Sequence, residues 1–292
     1  MAQEGDEARH MTIKDIARQC GVSVSTVSRV LNDRPDVSPE NRRKVLSAIQ
    51  QSNYIPNNTA RDLVKTKSDA IGLVVRGVSN PFYTDIIRVI EEQVTARGYT
   101  LVMQQIGTCD DEVKRGAMME REKRLRGLIL LGGRSDYSPQ ELAPLNIPFV
   151  CCSYSNQYGT LPSDSYASVS IADEEEAYRA VSELYRCGHR RIAALVSGAE
   201  EGARFTALFA ISDNMAIGAM RALREAGQQI PRDCSVIAID GLTMSEYINP
   251  TLTTLCQPME HMGRRSVEIL LDMVEHRGGP IRETAHTTLR TG

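Results

Sequence analysis

Residues 11–57 read MTIKDIARQCGVSVSTVSRVLNDRPDVSPENRRKVLSAIQQSNYIPN, and their spacing decides the fold of the N-terminal part. Thr12 is a helix N-cap, Asp15 falls in the first turn, and Ile13, Ile16 and Ala17 form the apolar side of a short helix. Gly21 supplies a residue that tolerates a left-handed turn. Ser23 caps a second helix predicted through about Leu31, with Val24, Val27, Val30 and Leu31 inward. Ser38-Pro39-Glu40 then opens a third helix, with Val45, Leu46 and Ile49 inward and Arg42, Arg43 and Lys44 outward. Two short helices joined by a glycine-containing turn make a helix-turn-helix.

The polar side of the second helix carries Ser25, Thr26, Ser28, Arg29 and Asn32, short or forked hydrogen-bonding groups suited to a DNA groove. Arg29 can meet guanine bidentately, Val24 and Ser25 stand where base edges and thymine methyls are met, and Thr12, Ser23 and Thr26 can take phosphate oxygens. A solvated amphipathic helix has the same stripe. Charge favours the first reading. From His10 to Lys67 there are ten Lys/Arg against five Asp/Glu, whereas the whole chain carries −3. A basic end on an acidic body is the asymmetry expected when one end meets phosphate.

The remaining composition excludes several classes. The chain has 292 residues, 41% of them hydrophobic and 24% charged, enough for one large or two to three small cored domains. No apolar run approaches the roughly 18 residues of a membrane helix, and residues 1–10, MAQEGDEARH, lack the basic-then-apolar order of a signal peptide. A cytoplasmic protein with a disordered leader over 1–10 is expected. The seven cysteines, Cys20, Cys109, Cys151, Cys152, Cys187, Cys234 and Cys256, form no CxxC pair and no Cys/His cluster, so they read as reduced, buried small hydrophobes. No metal and no cofactor is expected.

From Ala70 onward short β-rich runs alternate with helical periods, which argues for a parallel α/β core over 69–292. Strands are expected at 71–75, 99–105, 127–132, 148–152, 168–172, 191–197, 206–212 and 235–240, and helices at 83–98, 110–125, 174–187 and 214–226. Ligands bind beyond the carboxyl ends of such strands. Those ends hold Ser79, Asn80, Phe82 and Tyr83, then Gly132 and Gly133, then Asp173, Ser212, Asp213 and Asp240. An aromatic pair with carboxylates and small polar groups suits a hydroxyl-rich ligand such as a sugar. Each of these residues also serves as an ordinary strand-end cap or turn former.

Over its whole length the 11–57 string, with VSVSTVSRVLN at its centre, resembles the headpiece of the LacI/GalR repressor family. The string NNTARDLVKTKS, 57–68, is similar to the family's hinge segment, and SNPFYTDI, CGHRRIA, TALFAISDNMAIGAMRAL, IPRDCSVIAIDG and INPTLTTLCQP are similar to its core. The resemblance implies a headpiece over 11–58, a hinge helix over 59–68 that folds on operator DNA, and two Rossmann-like parallel-sheet subdomains around an effector cleft. It implies a homodimer, with a tetramer left open, and a palindromic operator bound by a repressor. Tyr54 and Asn57 join the DNA-contacting set, and Leu63, with Ala60 beside it, becomes the minor-groove wedge. Asp62 departs from the pattern, since a carboxylate there faces phosphates. In the cleft, Asn80, Phe82, Tyr83 and Asp173 would line one part, while Ser212, Asp213 and Asp240 hydrogen-bond an effector that shifts headpiece geometry.

One departure is large. Between RIAALVSGAEE and GARFTALFA the family places a helix, a strand and another helix, including a cleft arginine, and this chain has only a short link near Glu201. A parallel neighbour needs a crossover of about a dozen residues or more, so either the two flanking strands are not parallel neighbours, or the chain has lost a segment, or the sequence skips residues that the molecule has. A ligand-insensitive DNA-binding regulator is therefore the main alternative. Two other classes compete weakly: a solute-binding protein, against which the headpiece argues, and an enzyme using Asp213 with Asp240 or cradling phosphate at Gly132-Gly133. The glycine pair lacks the Lys-Ser/Thr of a phosphate loop, and no nucleophile–base set presents itself.

Overall fold

The computed structural model describes residues 12–31, 34, 36–52, 69–77, 80–162, 164–196 and 205–292. The chain forms two compact units, Met1–Thr66 and Lys67–Gly292.

In the first unit α1 spans Ile13–Cys20, α2 Val24–Leu31 and α3 Pro39–Ser52. Thr12 and Asp15 form a reciprocal capping box at the start of α1, and Gly21 ends it at φ 65. Ile16, Ala17, Val27, Val30 and Val45 make the core, with Ile13, Cys20, Val22, Leu31, Val37 and Ile49 packed against it. Two expected inward residues point elsewhere. Val24 is 41% exposed and Leu46 is 50% exposed. Leu46 stands about 100° around the helix from Val45, and the buried place on that face goes to Ala48.

In the second unit the order is β1 (Ala70–Arg76), α4 (Phe82–Ala96), β2 (Thr100–Ile106), α5 (Glu112–Lys123), β3 (Gly127–Leu131), α6 (Pro139–Leu142), β4 (Phe149–Cys152) and β5 (Ala167–Ile171). There follow α7 (Asp173–Arg186), β6 (Ile192–Leu195), β7 (Ala207–Ala210), α8 (Asp213–Glu225), β8 (Ser235–Asp240), β9 (Thr253–Cys256), α9 (Met259–Val274), β10 (Arg282–Ala285) and β11 (Thr288–Arg290). The first sheet runs β10-β5-β4-β3-β1-β2 and is parallel throughout. The second runs β11-β9-β8-β7-β6, parallel except for β11. The central strands read as continuous apolar runs because helices cover both faces: β1, β3, β5 and β7 are buried along almost every residue.

The chain passes from the first sheet to the second after β5, returns through α9 to β10, and crosses again to β11. One core spans both subdomains, with Ile71 and Ile129 of the first sheet, Phe209 and Ile237 of the second, and Leu270 of α9.

β6 and β7 are parallel neighbours, in register from Ile192↔Ala207 to Leu195↔Ala210. The possibility that they are not neighbours is thereby removed. Only eleven residues, 196–206, join Leu195 to Ala207. Residues 197–204, which include the expected gap, lie outside the described residues. β6 is the edge strand, and none of its four residues is fully buried, in contrast to β7.

The cysteines depart from expectation in part: Cys151, Cys152 and Cys234 are buried, but Cys109 and Cys187 are exposed. No helix among the described residues is long and apolar enough to cross a membrane.

Candidate functional site

The surface of the first unit is built on the start of α2. Ser23 Oγ accepts from Thr26 N at 3.1 Å and lies 2.7 Å from the Ser25 hydroxyl and 2.8 Å from the Thr26 hydroxyl. Three hydroxyls thus cluster at the positive end of a helix dipole, where anions are favoured. Val24, Ser25 and Arg29 are exposed around this end, and Thr26 and Ser28 are half-buried. Arg29 Nη1 stands 3.6 Å from Asp36 Oδ2. At the start of α1 the Thr12 hydroxyl donates to Asp15 Oδ2 at 2.6 Å, so this exposed residue holds its helix end. Asn32, Tyr54, Asn57, Ala60 and Leu63 lie outside the described residues, as does Asp62.

The strand-end residues of the second unit do not all face one space. Asn80 Oδ1 accepts from Phe82 N at 3.1 Å and starts α4. Phe82, expected to line the cleft, is only 4% exposed and belongs to the shared core. Its ring lies 5.5 Å from that of Tyr83, the one of the pair left half-buried. The Tyr83 phenol is pushed above its usual range mainly by burial, opposed by its interaction with Ser153, with the Asp240 carboxyl also raising it. Tyr83 of the first subdomain therefore feels Asp240 of the second.

Gly132 is required by this arrangement. It has φ 72, and a Cβ there would meet the Tyr83 hydroxyl at 2.5 Å. At Gly133 a Cβ would collide with Glu112 Oε1 and the Tyr154 ring. Glu112 is fully buried, accepts from Arg134 N at 2.8 Å and stands 3.6 Å from Arg76 Nη1. The two glycines make room for the Tyr83, Glu112 and Tyr154 side chains.

On the second subdomain Ser212 Oγ accepts from Met215 N at 3.2 Å and caps α8. Asp213 is fully buried; its Oδ1 accepts from Thr254 Oγ1 at 2.5 Å and its Oδ2 from Leu242 N at 2.7 Å. Both oxygens are engaged within the protein, so Asp213 clamps the turn after β8 to β9. Asp240 is 4% exposed, with Oδ2 accepting from Asp213 N at 3.3 Å and Oδ1 from Gln257 Nε2 at 3.2 Å. Asp173 opens α7 with its side chain exposed.

Ser153, Thr254 and Gln257 were not anticipated. Ser153 directly follows β4 at φ 68 and Gln257 follows β9, so the strand-end rule applied to every strand would have included both.

A basic three-helix unit with an exposed polar helix start, together with a core of two largely parallel sheets, defines a helix-turn-helix protein with a binding-protein-like core. Residues 12–57 match the bacterial regulatory proteins of the lacI family, 68–207 the periplasmic binding proteins and sugar binding domain of the LacI family, and 167–292 a periplasmic binding protein-like domain. The chain is 34% identical to the HTH-type transcriptional regulator MalR of Clostridium butyricum over 96% of its own length and 97% of that protein. A lac repressor dimer bound to operator and the anti-inducer ONPF superposes with a TM-score of 0.80 at 25% identity, covering 97% of this chain and 98% of that one. A complex of the regulator CelR with cellobiose superposes with a TM-score of 0.66 at 26% identity, covering 96% and 98%. The chain belongs to the lacI family of bacterial regulatory proteins and is a DNA-binding transcriptional regulator.

Proposed function

We propose that the protein is a cytoplasmic repressor that binds a palindromic operator as a homodimer and is released or recruited by a hydroxyl-rich effector, of which a sugar is the first choice. It catalyses no reaction. The observation that carries the DNA half is the exposed hydroxyl cluster at the start of α2 beside Arg29. In this reading residues 11–58 are the headpiece, 59–68 the hinge and 69–292 the effector and dimerisation core. Ser23, Thr26 and Thr12 meet phosphates, while Val24, Ser25, Ser28, Arg29 and Asn32 meet the major groove. Tyr54 and Asn57 continue the contacts, and Leu63 with Ala60 enters the minor groove. Tyr83 and Asp240 are the effector contacts best supported, since the half-buried Tyr83 phenol is raised in part by the Asp240 carboxyl of the other subdomain. In this reading Asn80, Asp173 and Ser212 contribute further effector contacts, and Phe82 and Asp213 act by supporting Tyr83 and Asp240.

A second reading, in which the core no longer responds to a ligand, is favoured by the link between β6 and β7. The alignment with the MalR relative runs over 329 positions, and the chain has only 292 residues. At least 37 positions of that alignment therefore stand opposite gaps in this chain. We assign much of the shortfall to the outer side of β6, where a helix, a strand and a helix would extend the second sheet.

Selection of bound sites from a randomised duplex pool, repeated with a panel of sugars and nucleobases, separates the readings. A palindrome whose occupancy changes with one ligand supports the first. A palindrome insensitive to every ligand supports the second, and no enriched site at low salt overturns both.

A further inference from the structure

Asp213 and Asp240 form a buried pair of carboxyls, 0% and 4% exposed, at the adjoining ends of α8 and β8. Their donors are all neutral and unequal. Asp213 receives Thr254 Oγ1 at 2.5 Å and Leu242 N at 2.7 Å. Asp240 receives only Gln257 Nε2 at 3.2 Å and Asp213 N at 3.3 Å. Short, well-supplied hydrogen bonds favour an ionised carboxyl, and Asp240 is the one of the two that has only long ones.

Among the described residues, the cations on neighbouring elements are committed elsewhere. Arg290 of β11 pairs with Glu246 at 2.5 Å and donates to Leu242 O at 3.0 Å. Arg76 of β1 stands against Glu112 and donates to Thr108 O at 2.9 and 2.6 Å. Among the described residues, the other titratable groups at this end are Tyr83 of α4, which feels Asp240, and Cys256 of β9, which feels Asp213, Arg290 and Glu246. Neither supplies positive charge. Two adjacent carboxylates in a dry site with no counter-ion among the described residues cannot both ionise cheaply.

We propose that the Asp213–Asp240 pair binds one proton, carried on Asp240, and loses it as the medium turns alkaline, so that the stability of the second subdomain is proton-linked. Burial, with the Asp213 charge second, pushes the Asp240 carboxyl up to about 7 from an ordinary 3.8. The native state then holds a proton that the unfolded chain has already released. Stability from this group is full below the unfolded value and is lost as pH rises through the folded one. The inference concerns the unliganded protein and does not depend on which effector, if any, the cleft takes.

The test is urea unfolding of the full chain between pH 5 and 8.5, followed by far-ultraviolet circular dichroism, for the wild type and Asp240→Asn. Relative to the variant, the wild-type unfolding constant should rise about tenfold per pH unit from roughly pH 5 to 7 and level off above. Parallel curves for the two proteins overturn the proposal. Carboxyl-carbon NMR of aspartate-labelled wild-type protein gives a second reading that needs no variant. One aspartate resonance titrating near neutral pH supports the proton site, and titration of every aspartate below about pH 5 refutes it.

Discussion

The Arg29 guanidinium stands 3.6 Å from the Asp36 carboxylate, with the two side chains 58% and 57% exposed. Such an open ion pair is worth about 0–1 kcal/mol, little enough for a guanine edge or a phosphate to displace the carboxylate. Arg29 is thereby held at the exposed side of α2 without being locked. Asp36→Asn should tighten operator binding by at most about 1 kcal/mol. Arg29→Ala should cost about 1–3 kcal/mol and relax preference at one base pair. Titration against a panel of single-base operator variants checks both, and an unchanged preference in Arg29→Ala would contradict the docking of α2.

Lys14 is exposed on α1 and is expected to meet a phosphate. Lys14→Ala should then weaken all DNA sequences alike and lower the salt slope of binding by about one. Binding isotherms at several salt concentrations read this directly; a loss confined to the operator would assign Lys14 to base readout.

Ser23 caps α2 through the Thr26 amide at 3.1 Å. Ser23→Ala should cost the three-helix unit about 1 kcal/mol. Ser23→Asp restores a cap but sets a charge against phosphate. It should therefore melt like the wild type and bind DNA more weakly, a split visible by comparing thermal melts with affinities.

Asp213 accepts two hydrogen bonds in a fully buried place. Asp213→Ala removes both acceptors and leaves the Leu242 N–H and the Thr254 hydroxyl without this partner, which should cost about 1–3 kcal/mol. Urea midpoints measure the loss, and a neutral result would show that the turn after β8 does not need this clamp.

Among the described strands β6 lies at the edge of its sheet, with Ala194 exposed and Val196, just after it, 42% exposed. An open apolar edge invites pairing with other chains, and a charge on it is the usual protection. Ala194→Lys should leave the unfolding midpoint within about 0.5 kcal/mol of wild type and reduce light scattering at high concentration. Unchanged scattering would place any self-association elsewhere.

Most elements through β8 were legible from local pattern. Thr12, Ser23 and Pro39 mark helix starts within a residue of their observed places, because capping is chemistry between residues two or three apart. Runs such as GLILL at β3 and SVIAID at β8 announced buried parallel strands. The region after β8 was much less legible. β10 and β11 take their partners from segments distant in sequence, β10 joining β5 and β11 joining β9.

The amino-acid sequence by itself determined the three-helix unit, the alternating α/β core and the shortness of the link before β7, since periodicity, capping and length are local properties. Only the tertiary structure decided which strand-end residues face the space between the sheets. Phe82 and Tyr83 are adjacent in sequence, yet successive helix positions diverge by about 100°. One ring fills the core and the other lies against Gly132 within the field of Asp240. Asp213 and Asp240 look equivalent as acids at strand ends, and what distinguishes them is their donors, Thr254 and Leu242 against Gln257. Burial and partners are contributed by distant parts of the chain, so no local pattern encodes them.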